Sequence, residues 1–179
     1  MIDPAVGALL AGAFALLFVS AALHKFLDLG GFSEALQAYR VAPAAFAKLS
    51  FLVPVLEFFV GFALLAGAAR AGAAAAGAVL LTVYAGAMAI NLGRGRRDLT
   101  CGCGGPNDKR PIAAWMVWRN LALALVLLLM SLPWSARPLD ACDALTIGAG
   151  TAVAALLYMS LDTLLGRVAP RAALMRGAP

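Results

Sequence analysis

Two cysteines one residue apart, Cys101 and Cys103, stand in the run Leu99-Thr-Cys-Gly-Cys-Gly-Gly-Pro-Asn107. Thiols at this spacing suit two chemistries: exchange with the disulfide of another protein, or capture of a soft metal ion. Gly102 gives the backbone freedom for the two sulfurs to approach. Residues at i and i+2 lie near the upper limit of the Cα separation a disulfide accepts, so a bond between them is strained. Strain raises the reduction potential and speeds exchange. Gly104, Gly105 and Pro106 then turn the chain without crowding the sulfurs. For the metal reading, paired thiolates grip Cu(I), Zn or Hg(II). A closed zinc site needs about four ligands, and His24 is the one histidine available as a third. Cys142 belongs to a different loop and reads as an unpaired thiol.

What must hold this pair is a membrane protein. The 179 residues are 63% hydrophobic and 13% charged, with mean hydropathy +0.90, too little polar surface for a soluble domain of this size. Five stretches match a hydrocarbon core of about 30 Å: residues 4–23, 51–69, 71–92, 112–132 and 145–165. Backbone groups in lipid must bond within their own segment, so these are expected as helices. The first has no Lys or Arg ahead of its apolar run, and the run is long, so it reads as a retained span rather than a cleaved signal peptide. The expected fold is all-α, a four-helix transmembrane bundle with a fifth carboxy-terminal span. It forms one polytopic domain over residues 1–179, with the cysteine loop at 93–111 and a basic tail at 166–179.

The net charge of +5 does not describe a nucleic-acid surface, because the basic residues sit at helix ends. With five spans, Lys25, Arg40 and Lys48 share a side with Arg94, Arg96, Arg97, Lys109 and Arg110, and with Arg167, Arg171 and Arg176. That side carries eleven of the fourteen Lys/Arg; Arg70 and Arg137 lie opposite and Arg119 lies inside a helix. The positive-inside rule then places the amino terminus outside and the Cys101/Cys103 loop in the cytoplasm.

Helix order also gathers polar groups in the leaflet nearest the thiols. His24 and Lys25 close the first span, Glu57 lies about two turns into the second, Asn91 ends the third, and Arg119 and Asn120 open the fourth beside Trp115 and Trp118. Glu57 and Arg119 each cost roughly 2.5–3.5 kcal/mol in the membrane unless paired or hydrated, so the two are expected to meet, with His24 or Asn120 bonded to the pair. A packing salt bridge is one reading. The other is a positive potential from Arg119, Lys25 or His24 that favours thiolate at the pair. Asp162 is expected to face headgroups and Arg167. Between the first two spans, residues 30–40 read as a short interfacial helix, with Ser33 as N-cap, Phe32, Leu36 and Tyr39 at helical spacing, and Pro43 as its stop.

The order of these features resembles the MauE branch of the DoxX-like membrane proteins. The matching stretches are Ser20-Ala-Ala-Leu-His24-Lys25, Tyr39 with Pro43, Pro54-Val-Leu-Glu57-Phe-Phe-Val-Gly61-Phe-Ala-Leu-Leu65, Cys101-Gly-Cys-Gly-Gly105, and Trp115-Met-Val-Trp-Arg119-Asn120, covering about residues 15–132. The resemblance implies a redox-associated protein of the bacterial cytoplasmic (inner) membrane. It further implies a thioredoxin-like partner and a role in maturing the disulfide-rich small subunit of methylamine dehydrogenase. The family pattern places an aromatic after Cys-x-Cys-x, where this chain has Gly104-Gly105.

The expected function is thiol–disulfide exchange at Cys101 and Cys103, supported by Gly102, His24, Lys25, Glu57, Arg119 and Asn120, with a quinone as one candidate electron acceptor in the bilayer. Two alternatives use the same residues: soft-metal binding or transport at Cys101, Cys103 and His24, and a non-catalytic membrane subunit whose cysteines tether a partner.

Overall fold

The computed structural model describes residues 3–41, 49–101, 110–135 and 137–176, with side chains through residue 166. These residues form helices α1 (Pro4–Leu27), α2 (Leu29–Tyr39), α3 (Leu52–Leu65), α4 (Arg70–Gly93), α5 (Ala114–Met130) and α6 (Ala141–Arg176). Among the described residues there is no strand, and an isolated antiparallel bridge joins Thr100 to Pro111.

Three helices are long and apolar enough to cross a membrane: α1, α4 and the Ala141–Gly166 part of α6. The second and fourth expected spans fold as shorter apolar helices, Leu52–Leu65 and Ala114–Met130, of 14 and 17 residues. At 1.5 Å per residue α3 reaches only about 21 Å. Its apolar window was lengthened by residues 66–69, which leave the helix: the Ala66 and Ala69 amides close turns onto Ala63 and Ala66 carbonyls. Arg70 completes the stop by donating from Nε to the Leu64 carbonyl at 3.1 Å.

The short helix lies where expected but starts earlier. Asp28 caps α2, its carboxylate accepting from the Gly31 amide at 2.9 Å. Ser33 is therefore inside the helix and is not its N-cap. Asp28 wins because it follows α1 directly, so one residue serves as C-cap of α1 and N-cap of α2. Arg40 ends α2 in the left-handed region at φ 50°; Pro43 lies outside the described residues.

α1 packs on α3 and α6, and α4 packs on α5 and α3. The main core joins Phe14 and Phe18 of α1, Leu64 of α3, Leu81 of α4, and Leu127 and Met130 of α5. Small residues bring the axes close, as in lipid-embedded helix pairs. A Cβ on Gly61 would stand 2.8 Å from Val19 Cγ2 and 3.2 Å from the Ala15 carbonyl oxygen. One turn before Gly61, on the same face of α3, is Glu57; this close antiparallel crossing is what lets its carboxylate reach the carboxy-terminal turn of α1.

Candidate functional site

The cysteine loop is closed at its neck by main-chain pairing. Ile112 donates its amide to the Leu99 carbonyl at 2.8 Å beside the Thr100–Pro111 bridge. Leu99 and Ile112 turn inward and join Tyr39, Met88 and Met116 in a second apolar cluster, against which Cys101 packs. Three elements, α2, α4 and the start of α5, thus make the pad on which Cys101 is seated. Cys101 is partly buried; Gly102 and Cys103 lie outside the described residues. Among the described cysteines, Cys142 is the free one, exposed in the first turn of α6.

Asn91 fixes the pad's geometry. It is fully buried in the last turn of α4. Its Nδ2 donates to the Tyr39 carbonyl and to the Ala87 carbonyl, each at 3.0 Å. Its Oδ1 accepts from Arg96 Nη1 at 3.1 Å. One amide therefore anchors the end of α2, the end of α4 and the segment leading to Thr100. A buried amide that satisfies its bonds in this way specifies one arrangement, since any other leaves it orphaned.

Beside Cys101 is a cavity of about 80 Å³ whose walls include Lys25, Phe32, Tyr39, Tyr84, Met88 and Cys101. Behind its polar wall lies a buried ionic cluster. Lys25 Nζ donates to both Glu57 oxygens, at 2.7 and 2.8 Å, with side-chain exposures of 4% and 1%. Tyr84 donates its hydroxyl to Glu57 Oε1 at 2.7 Å. The ammonium also lies 5.5 Å from the ring centroids of both Phe32 and Tyr84, where the ring quadrupoles favour a cation. Tyr39, another lining residue, has its hydroxyl buried without a hydrogen-bond partner among the described residues, and burial pushes this phenol up to about 12. It is a neutral donor at any physiological pH.

Glu57 and Arg119 do not meet. Glu57 belongs to Lys25 and Tyr84, whereas Arg119 of α5 reaches α6, donating through Nη1 to Asp162 Oδ1. Arg110 donates to Asp162 Oδ2 at 2.8 Å and to the Asp162 carbonyl at 3.0 Å. Asp162 is therefore an acceptor between the cysteine loop's exit and α6; the side chain of Arg167, its expected neighbour, lies outside the described residues. Two guanidiniums converge on it, and the Trp115 and Tyr158 rings flank Arg119 at 5.3 and 5.9 Å. Asn120 is buried; its Oδ1 accepts from Arg119 at 3.4 Å, while its Nδ2 and Arg119 Nε have no partner among the described residues.

Of the residues singled out by sequence, the structure brings together Cys101, Lys25 and Glu57. His24 is exposed and is not on the cavity wall: adjacent residues on a helix point about 100° apart, so Lys25 turning inward sends His24 outward. No group of three metal-ligating side chains occurs among the described residues. Tyr84 was missed. Its signal was a phenol in the middle of an apolar helix, a group that needs a partner when buried, one and two turns from Met88 and Asn91 on the same face.

The opposite end of the bundle carries a second ionic network. Arg137 donates to Asp3 at 2.9 and 3.1 Å and to Asp143 at 2.6 and 2.8 Å. These contacts hold the Asp3 carboxyl below its usual range and raise the guanidinium further above its own.

Comparison with known proteins matches the same stretch of chain that carries the cavity. The family model described as methylamine utilisation protein MauE fits residues 3–133. The methylamine utilization protein MauE of Paracoccus denitrificans is 37% identical over 162 residues, covering 89% of this chain and 87% of that one. The protein of the same name from Methylophilus methylotrophus is 33% identical over 170 residues, covering 92% and 88%. That of Paracoccus versutus is 35% identical over 166 residues, covering 92% and 89%. No solved structure matches. Matched from α1 through α5 and along nearly the whole length of its relatives, the chain belongs to the MauE family.

Proposed function

We propose that this membrane protein works in methylamine utilisation as a thiol–disulfide redox component, with Cys101 and Cys103 as the exchanging pair. The observation that supports the reading is the seat of Cys101: a partly buried cysteine beside a cavity that also meets a buried lysine, on a loop whose neck is pinned by main-chain pairing. A pinned neck fixes the residues that flank the pair, and a partly exposed cysteine can be reached by a partner. In the reaction one cysteine thiolate attacks the partner's disulfide, forming a mixed disulfide and releasing one partner thiolate. The second cysteine then attacks the mixed disulfide, closing Cys101–Cys103 and leaving the partner a dithiol. The reverse sequence oxidises a dithiol partner.

The partner in this reading is a thioredoxin-like protein, and the product served is the disulfide-rich small subunit of methylamine dehydrogenase. The span count in this reading is four in a bundle plus α6, with α3 and α5 crossing by help from the neighbouring helices. Charge distribution then puts the cysteine loop in the cytoplasm. Replacing one cysteine of the pair by serine at a time tests the chemistry. One single variant should accumulate a mixed disulfide with a thioredoxin-like protein, visible as a reducible adduct, and the double variant should not. Adducts absent from both single variants, with methylamine growth intact in the double variant, would leave the cysteines as bystanders. Retained Cu(I) or Hg(II) binding lost only in the double variant would instead make the pair a metal grip.

A further inference from the structure

Cys101 is bordered on one side by the apolar pad and on the other by the segment that brings the chain back from the loop. The Thr100–Pro111 bridge is antiparallel, with Ile112 bonded to Leu99 one position before it. Continuing that register by one position sets Cys101 opposite Arg110. Opposed residues in an antiparallel pairing have Cα atoms about 5 Å apart, so what holds Arg110 in place also bounds the space around Cys101. Arg110 is held from α6. Its Nη2 donates to Asp162 Oδ2 at 2.8 Å and its Nη1 to the Asp162 carbonyl at 3.0 Å, a two-point grip on one residue. The other Asp162 oxygen accepts from Arg119 of α5, which braces the carboxylate from the bundle. α6 is also shaped for this side chain. Gly166 stands one turn beyond Asp162 on the same face, and a Cβ there would meet the Arg110 guanidinium and come within 3.0 Å of its Cδ. The helix has its own attachment elsewhere: it packs on α1, where Thr151 donates to the Leu9 carbonyl at 3.2 Å. Thr151 and Asp162 lie roughly three turns apart, about 16 Å along the axis. An ionisable residue late in an apolar spanning helix marks function by default.

We propose that Asp162 is a positioning residue for Cys101. Acting through Arg110, it latches the returning segment of the cysteine loop to α6 and limits how far the Cys101 sulfur opens to an incoming disulfide. The proposal deepens the exchange reading above and uses Cys101 alone of the pair. The charge of Asp162 is what matters, because a neutral amide keeps one acceptor oxygen but forms no ion pair with either guanidinium. With the latch released, the returning segment opens locally and Cys101 leaves the pad against which it packs.

The test uses the full chain in detergent, reduced, and carrying Cys103→Ser so that Cys101 is the loop's thiol. It reads the alkylation rate of Cys101 against that of Cys142, which is exposed in the first turn of α6. Asp162→Asn should raise the Cys101 rate roughly three- to tenfold relative to Cys142, the scale of one weakened hydrogen bond to a charged group. Asp162→Glu, which keeps the anion, should return most of the parent rate. Arg110→Gln should give the same rise, and combining it with Asp162→Asn should give no more. Gly166→Ala separates positioning from stability. Alanine is the better helix former, so a merely structural role for α6 predicts an unchanged rate, whereas crowding of Arg110 predicts a faster one. Thr151→Val, which weakens the hold of α6 on α1 and spares the latch, should leave the rate unchanged. A Cys101 rate left at the parent value by both Asp162→Asn and Gly166→Ala overturns the latch. So does an equal rise in Thr151→Val, or a further rise when the Arg110 and Asp162 changes are combined. Glutathione disulfide added to the same reduced protein reports on exchange separately. If Cys101 alkylates faster in Asp162→Asn yet forms no mixed disulfide with glutathione, the exchange reading fails and the latch stands.

Discussion

The two ends of the bundle both use ion pairs to join distant segments, but one end is dry and the other wet. Near Cys101, Lys25 and Glu57 are almost wholly buried and share a tyrosine. At the far end, Arg137 links Asp3 and Asp143 with 40% and 44% of the Arg137 and Asp3 side chains exposed. The difference decides what each network can do. Exposed pairs are screened and contribute little. A buried pair gives up its hydration, and whether it stabilises depends on complete pairing. Charge at the far end therefore steadies a helix start, whereas charge at the cysteine end commits the fold to one arrangement of α1, α3 and α4 around the cavity.

The largest expected effect comes from breaking the dry pair on one side only. Lys25→Met strands the Glu57 carboxylate and should destabilise the protein by about 3–5 kcal/mol, read as a lowered unfolding midpoint in detergent. The double variant Lys25→Met/Glu57→Leu should recover most of that loss, because an apolar pair of similar volume is often neutral. A double variant as unstable as the single would show that Tyr84, not the charge pair, dominates the cluster.

Next in size is the bridge to α6. Asp162→Asn removes the anion that two guanidiniums share, and losing hydrogen bonds to a charged group costs about 1.5–3 kcal/mol. The variant should loosen α6 from the rest, seen as faster proteolysis after residue 130 with α1 to α5 still protected. Equal protection in variant and parent would mean that α1 packing alone holds α6.

The smallest effect belongs to the wet end. Asp3 has its folded pKa lowered, chiefly by hydrogen bonding to Arg137, so its stabilising contribution is present above the ordinary carboxylate pKa and is lost as pH falls from about 4 through the lower folded value. Arg137→Ala should leave the unfolding midpoint at pH 7 almost unchanged and should flatten its fall in acid. A large drop at neutral pH would show that this end is less wet than its exposure suggests.

What the sequence could and could not convey follows from the geometry of helices. Order and length place Lys25, Glu57, Asn91, Arg119 and Asn120 at one end, and they do lie toward the cysteine end. Which of them touch depends on the azimuth of each helix, which a run of Ala, Leu and Val does not encode. Gly61 was legible as a small residue, but not as the point where α3 crosses α1 closely enough for Glu57 to reach Lys25. Asp162 was legible as a carboxylate late in an apolar helix, but not as the point where Arg110 and Arg119 fold onto α6. Helices α3 and α5 are shorter than the expected stretches because hydropathy runs on through residues whose backbone has already left the helix.

In the proposed function Cys101 and Cys103 form a two-electron couple, with Cys101 beside a dry charge cluster. The most direct measurement equilibrates native membranes with glutathione buffers of graded potential, then counts alkylated thiols by mass. Cys101 and Cys103 should lose and regain alkylation together across one two-electron transition, with Cys142 alkylated throughout. Two thiols titrating independently, or a pair unchanged from the most reducing to the most oxidising buffer, would contradict it.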